Sequence, residues 1–122
     1  MNWMAIIVAA GIIAVFFMIK RAGQISPKDA LAYLKKGAQV IDVRSPGEFS
    51  SGHLPNVINI PLGDIETTAP RRVKSKNQVL LLHCHSGMRS GAAIRKLKSM
   101  GYTNTFNLGS YRRAESILKQ SQ

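Results

Sequence analysis

Three short apolar runs, each closed by turn or helix-start residues, set the tightest limit on what this chain can fold into. Gln39-Val40-Ile41-Asp42-Val43, Val57-Ile58-Asn59-Ile60 and Val79-Leu80-Leu81-Leu82-His83 are too short for helices, and they read as buried strands. Pro55 and Pro61 bracket the second run. Ser26-Pro27-Lys28-Asp29 carries a capping serine, a proline at the first helical position and an acid in the first turn, so a helix starts there and stops near Gly37. Ser45-Pro46-Gly47-Glu48-Phe49 reads as a turn into a short helix, and Leu62 to Thr67 as a brief one followed by a basic loop through Arg71-Arg72-Val73-Lys74. Ala93, Ile94 and Leu97 share one face of a helix from Ser90 to Met100, which Gly101 ends. Thr103 to Asn107 is a last strand, and a C-terminal helix begins near Ser110. Strands alternating with helices predict an α/β domain: a mostly parallel sheet covered on both faces, with its ligand site at the carboxyl ends of the strands.

One such end carries the chain's only cysteine. Cys84 follows the third strand within Leu82-His83-Cys84-His85-Ser86-Gly87-Met88-Arg89-Ser90, just before a helix. A thiol at a strand-to-helix turn can sit in a cup of backbone N–H groups, which lowers its pKa and stabilises anions. Lone cysteines are more often small buried apolar groups. The polar, glycine-bearing turn favours the functional reading here.

The N-terminus is of another kind. From Met1 to Ile19 no side chain is charged and Asn2 is the only strongly polar one; Lys20-Arg21 follow. About 17 apolar residues lie at the short end of what crosses a bilayer as a helix. A cleaved signal peptide would carry basic residues ahead of its apolar core, and a core helix would show a polar stripe. The chain therefore divides into an expected membrane anchor at 1–21, a linker at 22–25 and a domain at 26–122. The basic flank, with Lys28, Lys35 and Lys36 behind it, places the domain in the cytoplasm of a single-pass protein. A lone cysteine suits a reducing compartment, although it would also serve in a periplasmic enzyme.

All 17 Lys and Arg and all six acids lie beyond the apolar run, giving the remainder a formal charge of +11. That charge fits solubility, attraction to anionic lipid, or steering of a small anionic substrate. Nucleic-acid binding is not expected, because no aromatic-basic interleaving or recognisable motif appears. Arg71, Arg72, Lys74 and Lys76 read first as a solvated loop.

With these residues in view, the chain from about Ser26 to Ser110 resembles a single-domain rhodanese, of the thiosulfate sulfurtransferase family. Asp42-Val43-Arg44 with Glu48-Phe49 is similar to the family's first strand and turn. Gly52-His53-Leu54-Pro55, running into Ile58-Asn59-Ile60-Pro61-Leu62, is similar to its second signature, and Cys84-x-x-Gly87-x-Arg89-Ser90 to its active loop. Gly101-Tyr102 with Asn107-Leu108-Gly109 resembles the closing strand. Where the family often has a paired glycine and a downstream tryptophan after the last strand, this chain has Gly109-Ser110 and no tryptophan follows.

The resemblance implies a rhodanese-like three-layer domain and a catalytic Cys84 that carries sulfur as a persulfide. The donor would be thiosulfate or a related persulfide, and the acceptor a thiol or cyanide, with a protein acceptor also open. His85, Ser86, Gly87, Met88, Arg89 and Ser90 would bind substrate, their backbone N–H groups cradling the persulfide. His85 would face the substrate. Arg89 would bind the anion, or hold the loop by pairing with Glu48 or Asp42, or both. Asp42 and Arg44 read as a structural pair, and Glu48 and His53 as further support. No metal or organic cofactor is called for.

Two rivals remain. A purely docking module would need neither Cys84 nor its loop, whereas a relay fed by a protein persulfide would use both. A cysteine-dependent phosphatase places five residues between cysteine and arginine, whereas only His85, Ser86, Gly87 and Met88 intervene here.

Overall fold

The computed structural model describes residues 2–122, the side chains of residues 19–22 lying outside the described set. In chain order the helices are α1 (Trp3–Ala22), α2 (Pro27–Lys35), α3 (Pro46–Ser51), α4 (Ile65–Arg72), α5 (Met88–Ser99) and α6 (Tyr111–Gln120). The strands are β1 (Gln39–Asp42), β2 (Val57–Asn59), β3 (Leu80–His83) and β4 (Thr105–Gly109), and a 3₁₀ turn covers Leu62–Asp64. All strand pairs are parallel, in the order β2-β1-β3-β4. This is the α/β architecture the sequence predicts.

The register sets the site. Asp42 lies opposite both Asn59 and His83, and His83 opposite Gly109 across a local shift, so the polar strand ends collect on one rim. Below that rim the strands alternate faces with period two. Ile41, Leu80 and Leu82 join Ala93 and Leu97 of α5 and Ile65 of α4 in one buried cluster. Val40 and Leu81 join Ala30 of α2 and Ala114 and Ile117 of α6 in the other. Each large aliphatic side chain fully buried this way contributes about 1.5–3 kcal/mol.

Local signals account for the helix starts. Ser26 Oγ accepts the Asp29 N–H at 3.2 Å, with Pro27 opening α2. Ser45 and Glu48 form a reciprocal capping box that starts α3. Ser110 Oγ accepts the Arg113 N–H and starts α6.

Several boundaries differ from expectation. α4 runs on through Pro70 to Arg72, because Ile65 and Ala69 are fully buried and hold it against the core. Arg71, Arg72, Lys74 and Lys76 are exposed, as expected, but the first two close α4 rather than sit in a loop, and Val73 beside them is buried, its carbonyl accepting from Tyr102 Oη at 2.8 Å. Lys76 Nζ sits 4.0 Å from the centre of the Tyr102 ring. α5 starts at Met88, two residues early, because Gly87 takes φ +95° and lets the helix begin at once. β4 begins at Thr105; the Thr103 N–H bonds to the Lys76 carbonyl instead of a strand.

α1 is a helix where the apolar run lies, with Trp3, Ile6, Ile7, Ile12, Phe16 and Phe17 all exposed. The structure bears out a helix here but not a span: among the described residues no helix is long and apolar enough to cross a membrane. The side chains of the basic flank Lys20-Arg21 lie outside the described residues.

Candidate active site

Cys84 leaves the end of β3 fully buried, on the α5 side of the sheet. The Gly87 N–H donates to its Sγ at 3.0 Å, and the Ser90 hydroxyl lies 3.7 Å away. Burial pushes the thiol pKa up. The backbone N–H and hydroxyl of Ser90, with the N–H groups of Gly87 and Ser86, outweigh that and bring it below the ordinary thiol value. The start of α5 aims its unpaired N–H groups at the same point, which favours an anion there.

The loop is pinned to β4. The Cys84 N–H donates to the Gly109 carbonyl at 3.3 Å and the Tyr111 N–H to the His85 carbonyl at 3.2 Å. Asn107 does most of the fastening. Its Nδ2 donates to the Gly87 carbonyl at 3.1 Å, while its Oδ1 accepts from Ser90 Oγ at 2.7 Å and from the Gly109 N–H at 2.8 Å. Gly87 cannot be replaced cheaply, since a Cβ there would come within 3.2 Å of Gly109 Cα at a positive φ.

Charged groups hold the rim. Arg89 pairs with Glu48 through two contacts, at 2.6 and 3.0 Å, joining the loop to α3. The Arg89 guanidinium, with the N–H and hydroxyl of Ser45, holds the Glu48 carboxyl down to about 2. Arg44 Nε and Nη2 contact the Asp42 carboxylate at 2.7–3.0 Å, and Nη2 also donates to the Gly52 carbonyl. His53 stacks on Phe49 with ring centres 3.8 Å apart, and its Nδ1 lies 2.9 Å from the Phe49 carbonyl. Asp42, Arg44, Glu48 and His53 thus brace the rim without touching Sγ in any described contact. His85, Ser86 and Met88 are exposed on the loop, Met88 at 75%.

Beside the loop opens a cleft of about 580 Å³, lined by Arg44, Glu48, His85, Tyr111 and Arg112 among others. Ser110 and Tyr111 form one wall, and the Arg44 guanidinium lies 4.8 Å from the Tyr111 ring centre. Sequence reasoning missed Asn107 and Tyr111 as site residues, and it missed His83. Among the described residues no group of His, Cys, Asp and Glu could hold a metal ion.

A strand-end cysteine under a helix-starting loop is matched by a family model, the rhodanese-like domain, over residues 26–113. The chain belongs to the rhodanese-like domain family. It is 38% identical over 69 residues to the thiosulfate sulfurtransferase PspE of Escherichia coli K12, covering 57% of this chain and 66% of that one. It is 36% identical over 69 residues to the putative sulfur carrier protein YrkF of Bacillus subtilis 168, covering 57% of this chain and 36% of that one. The chain thus spans two thirds or less of these curated relatives. Among solved structures, a rhodanese with anions from E. coli superposes with a TM-score of 0.61 at 34% identity, covering 63% of this chain and 91% of that one. The rhodanese-like loop is also one residue shorter than the phosphatase loop, and its arginine is engaged with Glu48.

Proposed function

We propose that this rhodanese-like protein is a sulfurtransferase that carries sulfur on Cys84. The observation that carries the reading is the Cys84 Sγ under the loop, its pKa lowered by N–H groups aimed at it. The Cys84 thiolate attacks the outer sulfur of thiosulfate or a related persulfide donor. A new S–S bond forms, the donor's S–S bond breaks, and sulfite (or the donor thiolate) leaves with the bonding pair. A thiolate or cyanide then attacks the outer sulfur of the Cys84 persulfide, and Cys84 departs as thiolate again. Charge is conserved in both halves, and the kinetics are ping-pong. The N–H groups at Ser86, Gly87 and Ser90 stabilise the negative sulfur in each. His85, Met88 and Arg89 line the approach, with Arg89 acting through its pair with Glu48.

The test uses the full chain in detergent, reduced, mixed with thiosulfate and weighed intact beside Cys84→Ser. A gain of one sulfur atom only with Cys84 present, discharged by cyanide with thiocyanate formed, supports the reading. Absence of the adduct with thiosulfate and with a persulfide donor overturns it and leaves the docking or relay reading.

The reading extends to location. α1 exposes apolar side chains along its described length and carries Lys20-Arg21 in its last turn, which favours an anchor in a membrane with the domain on the cytoplasmic side. Protease added to inverted vesicles should cut the domain, and protease added outside an intact inner membrane should not. The reverse pattern sinks the orientation; recovery of the full chain in the soluble fraction sinks the anchor.

A further inference from the structure

His83 directly precedes Cys84, and the sulfur chemistry above leaves it unused. Its side chain is fully buried on the α6 side of the sheet, opposite the Cys84 side chain. Nδ1 lies 3.3 Å from the Cys84 carbonyl oxygen. A carbonyl only accepts, so Nδ1 carries a proton. Nε2 lies 3.8 Å from Asp42 Oδ2 and has no hydrogen-bond partner. In the neutral ring a lone pair therefore faces a carboxylate oxygen. With a second proton, both contacts become favourable. A buried polar atom left in this state calls for an explanation.

Every element around the ring contributes to its charge environment. β1 supplies Asp42, and the turn after β1 supplies Arg44, which grips that carboxylate. α6 supplies Tyr111, set edge-on with ring centres 5.7 Å apart. β4 places uncharged Gly109 alongside. Burial pushes the His83 pKa down and Arg44 adds to this, while the Asp42 carboxylate and the Cys84 carbonyl work against it. The ring is neutral at neutral pH and takes its second proton below the ordinary imidazole range.

We infer that His83 is a positioning residue for the reacting thiol. It fixes the Cys84 carbonyl through Nδ1–H and, on gaining a proton at Nε2, places a cation behind Cys84 that favours the thiol's anionic form. The inference rests on the sulfur-transfer reading only in taking Cys84 as the reacting group. Coupling between two sites is reciprocal, so the thiolate must also favour the His83 cation.

The experiment titrates the full chain in detergent without any sulfur donor, so its failure is distinct from failure of sulfur transfer. Nitrogen-15 NMR of the ring should show the Nδ1–H tautomer at pH 7. Capping Cys84 with iodoacetamide should move the His83 midpoint to lower pH. In parallel, the ratio of wild-type to His83→Asn alkylation rates should rise at least about threefold between pH 8 and pH 5.5. An Nε2–H tautomer, a midpoint unmoved by capping, or a constant rate ratio overturns the inference. If His83→Asn does not fold, the two NMR readings on the wild-type chain decide alone.

Discussion

Arg89 and Glu48, 41 residues apart in sequence, meet through two contacts at 2.6 and 3.0 Å, and this pair links the thiol loop to α3. Both side chains are 38% exposed, so water screens the pair and its worth to global stability is small. Its effect is local: it fixes the direction in which the first turn of α5 presents its N–H groups. Arg89→Ala should therefore lower the rate of persulfide formation about tenfold while leaving the thermal midpoint nearly unchanged. A fall in midpoint that accounts for the lost rate would show instead that the pair holds the fold.

The same pair has a pH signature. The Glu48 carboxyl stands at about 2 in the folded chain, below the unfolded value of about 4.3. A depressed carboxyl contributes stability that is complete above the unfolded value and is lost as pH falls through the folded one. Between about pH 4.3 and 2 the wild type should lose its advantage over Glu48→Gln. Thermal midpoints of both proteins across that window check this, and parallel curves would sink it.

Because the N–H groups of Ser86, Gly87 and Ser90 lower the Cys84 pKa against the effect of burial, the thiol should alkylate with an acid limb below the ordinary thiol value of about 8.5. Ser90→Ala removes the hydroxyl 3.7 Å from Sγ but keeps the Ser90 backbone N–H. The limb should move up only part of the way. Iodoacetamide rates from pH 5 to 9 read it directly, and an unmoved limb would remove the hydroxyl from the account.

Gly87→Ala and Gly47→Ala form a contrasting pair. At Gly87 the new Cβ meets Gly109 Cα at 3.2 Å with φ +95°, whereas at Gly47 nothing lies within 4 Å. The first change should cost about 1–3 kcal/mol and loosen the thiol loop. The second, in the first turn of α3, should be neutral or slightly stabilising. Denaturant midpoints decide it, and equal effects would contradict the geometry.

What could be read in advance was local chemistry. Ser26-Pro27, Ser45 with Glu48, and the Cys84-to-Gly87 turn each act within four residues, and each lies where the pattern places it. What could not be read depends on register or burial. Pro70 signals a break, and only the burial of Ala69 and Ile65 keeps α4 going past it. His83 reads as one more strand residue until β1 sets Asp42 across from it. Arg89 had two carboxylate candidates, and the placement of α3 beside the loop selects Glu48.

Asn107 is the sharpest case of a residue whose role comes from tertiary placement. Three buried groups depend on its amide: the Gly87 carbonyl, the Ser90 hydroxyl and the Gly109 N–H. Asn107→Ala strands the buried Gly109 N–H at a cost of about 1–3 kcal/mol, while the Gly87 carbonyl keeps the Gly91 N–H at 3.2 Å and the Ser90 hydroxyl at 3.1 Å. A loss of about 1–3 kcal/mol is expected, with the loop loosened. Asn107→Asp is the finer probe. It keeps the Oδ1 acceptor for Ser90 and Gly109 but turns a second oxygen toward the Gly87 carbonyl, and it adds a negative charge beside the thiol. The Cys84 alkylation limb should then move to higher pH, because a nearby like charge disfavours the thiolate. Should Asn107→Asp leave both the limb and the denaturant midpoint where the wild type has them, the amide is not what fastens the loop.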